Sequence, residues 1–142
     1  MYRHTQIGYI TLGAAAGGGL LVGIVLLSIA PSPGLWIGSV LIAVALLFSS
    51  LTTEVTQDRF VFWFGPGLVR RSFPLSDIAS CTPVVNPWYY GWGIHWTRDG
   101  WLYNVSGMQA LELRLRDGKK LRVGTNEPQE LQRAILTMKG VA

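Results

Sequence analysis

The fold of this chain is decided by residues 7–51, which run IGYITLGAAAGGGLLVGIVLLSIAPSPGLWIGSVLIAVALLFSSL without one charged side chain. The uncharged stretch continues on either side as far as Arg3 and Glu54, and every acidic residue lies from Glu54 onward. Only 14% of the 142 residues are charged, against roughly a quarter in a soluble domain. The chain is therefore divided into an apolar N-terminal part and a polar remainder.

Two apolar runs in this stretch are long enough to be membrane helices. The first, residues 7–30, would extend over about 36 Å as a helix, which exceeds a hydrocarbon core of about 30 Å. The second, residues 35–51, would extend over roughly 25 Å and would need to reach Thr53 or thin the bilayer slightly. The Pro31–Gly34 segment is predicted to end one helix and let the next begin. The sequence thus predicts an antiparallel transmembrane hairpin over residues 7–51.

The first apolar run is rich in small residues, and two pairs of its glycines are four residues apart. Small residues at this spacing let helix backbones approach closely in lipid. They predict a helix-packing face, whose partner is either the second helix of the same chain or a neighbouring subunit of a homo-oligomer. This face contains Gly13, Gly17, Gly19 and Gly23.

Positive charges predict the orientation of the hairpin. Arg3 precedes the first run, while Arg59, Arg70 and Arg71 follow the second run on the same side. Because positive charge stays inside, we expect a multi-pass protein of the plasma (inner) membrane with both termini and the C-terminal domain in the cytoplasm. The alternative is a signal peptide cleaved after Ser28-Ile29-Ala30, although the apolar run is much longer than a typical h-region.

From residue 51 onward the apolar residues recur with period two, which is typical of β-strands. Two Asp-Gly pairs predict hairpins whose turn types follow from matching the side-chain faces. At Asp99-Gly100 a type I′ turn would set Trp96 opposite Tyr103. At Asp117-Gly118 a three-residue loop with a left-handed Gly118 would set Leu113 opposite Leu121 and Glu112 opposite Arg122.

The chain is predicted to close with an amphipathic helix. Asn126 is placed to cap it, Pro128 lies in its first turn and Gly140 is expected to end it. Its apolar stripe contains Leu131, Ala134, Ile135 and Met138. We therefore expect a domain of about seven strands and one closing helix over residues 52–142, with residues 1–6 as an N-terminal tail.

This order of elements resembles the pleckstrin-homology (PH) fold, and the motifs are similar to those of bacterial PH-like membrane proteins with two N-terminal transmembrane helices. The motifs are Phe64–Gly67, Arg70–Ile78, Gly91–Ile94, Gly100–Gly107, Ala110–Leu113, Asp117–Lys119, Val123–Thr125 and Pro128. The resemblance covers about residues 51–138. It implies a half-open barrel of about seven antiparallel strands capped by a C-terminal helix, and no enzymatic activity goes with that fold.

The resemblance does not carry phosphoinositide binding with it. Eukaryotic PH domains often bind phosphoinositides through a basic motif on the first hairpin. Here that loop is Gln57-Asp58-Arg59, with one basic and one acidic residue.

Aromatic residues form the densest candidate site, because four of the six tryptophans fall within residues 88–101. Trp96 and Tyr103 are interpreted as core residues or a cross-strand pair. The remaining candidates follow Asn86-Pro87 and are predicted to contact a protein partner or the membrane surface. They are Trp88, Tyr89, Tyr90 and Trp92.

Basic residues form a second candidate site for anionic lipid head groups. The alternative interpretation is a solvated strand face, since Glu112 and Asp117 interrupt the basic residues. The candidates are Arg59, Arg70, Arg71, Lys119 and Lys120.

The sequence offers no pattern for catalysis, a metal or a cofactor. Cys81 has no neighbouring histidine, and His95 has no second ligand nearby. A net charge of +4 is too small to argue for nucleic acid. We expect a non-catalytic, membrane-tethered PH-like module that binds an unidentified protein at the cytoplasmic face. The alternative is a protein that binds anionic lipid head groups or organises the membrane.

Overall fold

The computed structural model describes residues 1–29 and 31–141 and begins with one strand followed by two apolar helices. These elements are β1 (Tyr2–Ile7), α1 (Tyr9–Ile29) and α2 (Pro31–Leu47). The predicted connection at Pro31–Gly34 is instead the first turn of α2, where a proline's missing N–H is tolerated. Ala30, which ends the alternative cleavage site, and Ala142, which ends the predicted domain, lie outside the described residues.

Both helices expose apolar side chains. No residue of α1 is buried, and Leu20, Ile29 and Trp36 are 68%, 77% and 76% exposed. Among the described residues, α1 alone is long and apolar enough to cross a membrane, because α2 has only 17 residues. A core helix of a soluble domain would be mostly buried. The exposure of α1 therefore favours a membrane location, and the second membrane span remains a prediction.

Strand β1 is an element that the sequence analysis treated as a tail. Residues 2–7 pair antiparallel with β2 (Ser50–Val55), from Tyr2 opposite Val55 to Ile7 opposite Ser50. The N-terminal residues do alternate, since Gln6 is buried while Arg3 is exposed. The two helices are therefore inserted between neighbouring strands of one sheet.

Sheet A has the strand order β1-β2-β3-β4, in which β3 is Arg59–Phe64 and β4 is Val69–Pro74. Alternation along β3 turns three phenylalanines to the core, and these are buried to 0 or 1% exposure. They are Phe60, Phe62 and Phe64. Residues of the opposite parity, such as Trp63, lie on the outer face of the sheet.

Sheet B has the strand order β5-β8-β9-β7-β6. Its strands are β5 (Ile78–Val85), β6 (Gly93–Thr97), β7 (Gly100–Asn104), β8 (Gln109–Leu115) and β9 (Lys120–Gly124). Strands β7 and β9 are parallel neighbours, so the β6–β7 and β8–β9 hairpins pack side by side.

The predicted half-open barrel of about seven antiparallel strands is wrong. The described residues form nine strands in two sheets that do not close into a barrel. Strand β1 pairs with β2 across two helices, and β7 pairs with β9 across the intervening β8. A count of local patterns does not show such pairings between distant segments. The expected mainly-β domain with a C-terminal helix is confirmed.

One of the two predicted Asp-Gly turns is confirmed. Leu113 lies opposite Leu121 and Glu112 opposite Arg122, with Gly118 at a φ of 88°. The predicted type I′ turn at Asp99-Gly100 is wrong, since the described residues with positive φ are all glycines and Asp99 is not one of them.

The correct register of the β6–β7 hairpin follows from its turn. Thr97 lies opposite Gly100, and the loop residues are Arg98 and Asp99. Trp96 consequently pairs with Trp101 rather than with Tyr103.

The core lies between the two sheets and is closed by α3 (Pro128–Val141). The rings of Phe62 in sheet A and Tyr103 in sheet B are 4.9 Å apart between centroids. The predicted stripe of α3 is confirmed, because Leu131 and Ile135 are fully buried. The predicted Asn126 cap is wrong: the Thr125 hydroxyl accepts the Glu127 N–H at 3.1 Å, and Asn126 contacts His4.

The apolar helices join the domain at one end of sheet A. The Gly8 N–H donates to the Ser49 carbonyl at 2.7 Å, so the chain enters α1 beside the point where it leaves α2. Thr11 donates its hydroxyl to the Val105 carbonyl at 2.7 Å, and Gln6 donates its amide to the Ser106 carbonyl at 2.9 Å. The β7–β8 loop is therefore tied to both β1 and α1.

Candidate functional site

The aromatic segment, residues 86–92, forms a short turn between β5 and β6. Its centre, Trp88–Tyr90, is one 3-10 turn that begins after Pro87 and ends at Gly91, with φ of 64°. Trp88 and Tyr89 are 79% and 68% exposed. Their rings meet edge to face at 6.0 Å, in one of the arrangements that aromatic pairs prefer. Two large aromatic surfaces thus face solvent in a defined geometry.

The Arg122 cluster holds this segment against the outer face of sheet B. The Arg122 guanidinium lies 2.8 Å from a Glu112 carboxylate oxygen and 3.0 Å from an Asp99 carboxylate oxygen. It also donates to the Asn86 side-chain oxygen at 3.1 Å, and the Tyr90 hydroxyl donates to Asp99 at 2.8 Å. These five residues define the cluster, in which the Arg122 side chain is only 11% exposed.

Tyr90 therefore differs from its neighbours Trp88 and Tyr89. The hydrogen bond from its hydroxyl to the Asp99 carboxylate raises the pKa of Tyr90 above its ordinary value. The neutral, hydrogen-bonded form is favoured, because it keeps a donor next to the carboxylate. Tyr90 is an anchor of the segment, and the exposed aromatic surface belongs to Trp88 and Tyr89.

Trp92 lies at the junction with the helices. Its indole N–H donates to the Gly107 carbonyl at 3.2 Å, and its side chain is 44% exposed. It lines a groove of about 530 Å³ together with residues of both helices, including Ile10, Ala14 and Val44. Trp92 thus lies beside the apolar helices, and its contact with a membrane surface or a protein partner remains a prediction.

Trp96 and Tyr103, predicted together, separate in the structure. Tyr103 is 6% exposed and belongs to the core, which confirms its part of the prediction. Trp96 is 68% exposed, and its ring lies 5.6 Å from that of Trp101 at 85°. The pair of exposed tryptophans on the β6–β7 hairpin was not singled out from the sequence, because the predicted register placed Trp96 opposite a core residue.

The five basic residues predicted for lipid head groups lie on different parts of the domain. Arg70 lies in β4 opposite Trp63, with its guanidinium carbon 5.2 Å from the ring centroid. Lys119 and Lys120 lie at the β8–β9 turn, at the opposite end of sheet B from the loop that contacts α1. Lys119 pairs with Asp117 at 3.1 Å.

The other two of these basic residues lie in sheet A. Arg59 begins β3 at the end of the sheet far from the helices and is 3.7 Å from Asp58. Arg71 lies opposite Phe62, whereas Arg70 lies opposite Trp63, so the two arginines belong to opposite faces of β4. Sequence order alone had grouped Arg70 and Arg71.

Arg3 joins Arg70 at Trp63, a contact that the sequence analysis did not identify. The Arg3 guanidinium carbon lies 5.3 Å from the Trp63 ring centroid. Only the pairing of β1 with β2 brings Arg3 onto this face, and the residues of β1, YRHTQI, carry no apolar period-two pattern that could have revealed it.

The predicted glycine face takes a limited part in packing between α1 and α2. Residues that line both interhelical grooves lie at the seam, and these are Ala15, Gly19, Leu41 and Ala45. A Cβ atom added at Gly13, Gly17, Gly19 or Gly23 would meet nothing within 4 Å. Gly19 thus lies at the seam without close backbone contact, and packing of these glycines on a neighbouring subunit remains a prediction.

The sequence predicts neither catalytic nor metal chemistry for this chain. Cys81 is 7% exposed, and burial raises the pKa of its thiol, which disfavours the reactive thiolate. Within residues 1–29 and 31–141, no group of three or more His, Cys, Asp or Glu is placed to hold a metal ion. The absence of a cofactor and of enzymatic activity remains a prediction from the sequence.

In comparisons with known proteins, no family model matches the chain and no curated protein matches its sequence. The resemblance to bacterial PH-like membrane proteins therefore rests on the quoted motifs alone. An apolar N-terminal helix followed by a mainly-β domain is the part of that resemblance present in the structure.

Proposed function

We propose that this chain is a non-catalytic interaction module, similar to bacterial PH-like proteins, which α1 and α2 hold at the cytoplasmic face of the inner membrane. Its protein partner binds the aromatic segment. The observation that carries the proposal is the exposure of Trp88 and Tyr89, at 79% and 68%, on a segment anchored by the Arg122 cluster.

Anchoring makes this surface suitable for binding. Large aromatic side chains supply most of the energy at protein interfaces, and a contact surface that is ordered beforehand loses less conformational entropy on binding. The Tyr90 hydroxyl and the Asn86 amide connect both ends of the turn to buried or half-buried charges. The segment can therefore present Trp88 and Tyr89 without a folding step.

The exposed helices support membrane anchoring. Apolar side chains cover α1 and α2, and contiguous exposed apolar surface of this kind marks a membrane or protein interface. The pairing of β1 with β2 supports a hairpin whose two ends lie on one side of the membrane. The positive-inside rule, applied to Arg3 and Arg70, assigns that side to the cytoplasm.

The test is co-purification from native membranes in mild detergent, with the full-length tagged chain and quantitative identification of bound proteins. The Trp88→Ala/Tyr89→Ala variant removes the contact surface and keeps Tyr90 in the Arg122 cluster. The Trp96→Ala/Trp101→Ala variant is the matched control, because it removes an exposed aromatic pair elsewhere in sheet B.

We expect a protein that is enriched with wild type and with the control and lost from the Trp88/Tyr89 variant. Equal recovery of the bound protein with both variants would contradict binding at the aromatic segment. No enriched protein with wild type would contradict the proposed function itself.

A further inference from the structure

The β3–β4 turn, residues 65–68, lies at the level where α2 ends. The Gly65 N–H donates to the Ser50 carbonyl at 2.9 Å. A Cβ atom at Gly65 would lie 2.6 Å from the Leu46 carbonyl oxygen and 2.7 Å from that of Leu47. The turn thus packs against the last residues of α2. In a membrane-anchored chain it is next to the lipid head groups.

The tip of this turn is apolar and uncovered. Leu68 is 78% exposed, and it is followed by Val69 and Arg70 in β4. A large apolar side chain next to the end of a membrane helix is stabilised if it enters the lipid, because its apolar surface is then removed from water. Arg70, two residues further along the chain, then lies at head-group depth.

Two arginines flank one tryptophan directly behind this tip. Trp63 pairs with Arg70, one residue pair beyond Phe64 and Val69, and one residue of strand spans about 3.4 Å. The guanidinium carbons of Arg3 and Arg70 lie 5.3 Å and 5.2 Å from the Trp63 ring centroid. Both arginine side chains are exposed.

These two cations lack an acidic partner in close contact. Within the described part of the chain, neither Arg3 nor Arg70 has a carboxylate within 4.0 Å, although Glu54 is the cross-strand neighbour of Arg3. Lys119 and Arg122, by contrast, are paired with carboxylates at 3.1 Å and 2.8 Å. The guanidinium groups of Arg3 and Arg70 therefore have N–H donors available for an external anion.

We propose that Arg3, Trp63, Leu68 and Arg70 form a docking edge that binds the phosphate of an anionic phospholipid in the membrane entered by α1 and α2. Guanidinium groups suit phosphate because they donate two parallel hydrogen bonds, and tryptophan favours the membrane interface. The exposed Leu68 and the adjacent end of α2 select a lipid over a free phosphate ion. This inference rests on the proposed membrane anchoring.

The docking edge also orients the domain on the membrane. It turns the end of sheet A that contains the β3–β4 turn toward the lipid and leaves the Gln57-Asp58-Arg59 turn, at the far end of the sheet, away from it. The β8–β9 turn with Lys119 and Lys120 is likewise distant from the helix junction. Of the basic residues predicted to bind head groups, Arg70 alone belongs to the docking edge.

The experiment measures binding of phosphatidylglycerol and phosphatidylcholine to the full-length chain in mild detergent by native mass spectrometry. The test variant is Arg3→Gln/Arg70→Gln, and the matched control is Lys119→Gln/Lys120→Gln, which also removes two positive charges. We expect the test variant to bind its first phosphatidylglycerol about 30-fold more weakly than wild type. The control should bind it as wild type does, and phosphatidylcholine binding should not change.

Equal weakening in both variants would show a diffuse charge effect and would overturn the docking edge, and so would no weakening in the test variant. The single variant Arg70→Gln, on an edge strand, repeats the measurement if the double variant fails to fold, as judged by alkylation of the buried Cys81. Retention of each variant in carbonate-washed membranes tests the anchoring separately. Loss of wild-type chain from those membranes would instead contradict the proposed anchoring.

Discussion

Arg122 is the residue on which the geometry of the aromatic segment depends. It contacts Glu112 and Asp99 at 2.8 Å and 3.0 Å, and its side chain is 11% exposed. Removing the cation would leave two carboxylates close together without compensation. At this scale, the sequence had identified the opposition of Glu112 and Arg122 but not the contacts to Asp99 and Asn86.

We expect Arg122→Met to lower the free energy of unfolding by about 3 kcal/mol, because a partly buried charge loses its partner. The measurement is the denaturant midpoint, followed by alkylation of Cys81, which is buried in the folded domain. Arg114→Met is the control, since Arg114 is exposed on the face of β8 that also carries Glu112. Its loss should lower the free energy of unfolding by less than about 0.5 kcal/mol. Equal midpoints for the two variants would contradict a structural role for the cluster.

Tyr90 gives the domain a dependence on alkaline pH. Its hydrogen bond to Asp99 raises its pKa, so its contribution to stability is complete below the ordinary tyrosine pKa of about 10 and is lost as pH rises through the folded value. We expect wild type to melt at a higher temperature than Tyr90→Phe near neutral pH. The difference should shrink above about pH 10. Tyr2, whose pKa is also raised, is present in both proteins and cancels in the comparison. A melting-temperature difference that stays constant across pH would contradict a contribution of Tyr90 ionisation to the stability.

At the scale of elements, the β3–β4 turn joins the domain to α2 through backbone contact. Gly65 has a φ of 45°, and a side chain there would meet the Leu46 and Leu47 carbonyl oxygens. Gly118, in the β8–β9 turn, also has a positive φ, but a Cβ atom there would meet nothing within 4 Å. Comparing the same substitution at the two glycines therefore separates the cost of backbone strain from the cost of close packing.

We expect Gly65→Ala to destabilise the domain by more than about 3 kcal/mol, since it combines a left-handed backbone with a clash. Gly118→Ala should cost only about 1 kcal/mol, the strain alone. Thermal unfolding of both variants in the same detergent provides the comparison. Similar losses at the two positions would mean that the turn can move away from α2 and that the junction is not rigid.

At the scale of the whole molecule, α1 and α2 are inserted between β1 and β2, so the proposed membrane hairpin would couple membrane topology to folding. Two antiparallel neighbouring strands can pair only if both lie on the same side of the membrane. If both helices cross the membrane, as proposed, the domain is complete only when the helix pair returns to the side from which it entered. Cleavage after the first helix would also remove an edge strand of sheet A.

We expect single cysteines at Met1 and Gln57, introduced into a Cys81→Ser chain, to react with a membrane-impermeant maleimide from the same side. In inside-out vesicles both should react, as the positive-inside rule places them in the cytoplasm. A cysteine at Pro33, in the first turn of α2, should react only from the opposite side. Reaction of Met1 and Gln57 from opposite sides would contradict the hairpin, and reaction of both from outside would reverse only the orientation.

The sequence determined those features that depend on neighbouring residues. The apolar helix α1, the strands from residue 50 onward, the β8–β9 hairpin with its left-handed Gly118 and the apolar stripe of α3 all follow from local period or turn chemistry. Such patterns are visible locally because each residue's environment is set by residues a few positions away.

The tertiary structure alone decided the pairings between distant segments. Strand β1 meets β2 across the whole helix pair, β7 meets β9 in parallel, and Arg3 consequently reaches Trp63. The aromatic segment acquires its anchor in the same way, since Asn86 follows β5, Asp99 lies in the β6–β7 turn and Arg122 lies in β9. These contacts arise because the burial of one shared core selects which strands become neighbours, and no local period carries that information.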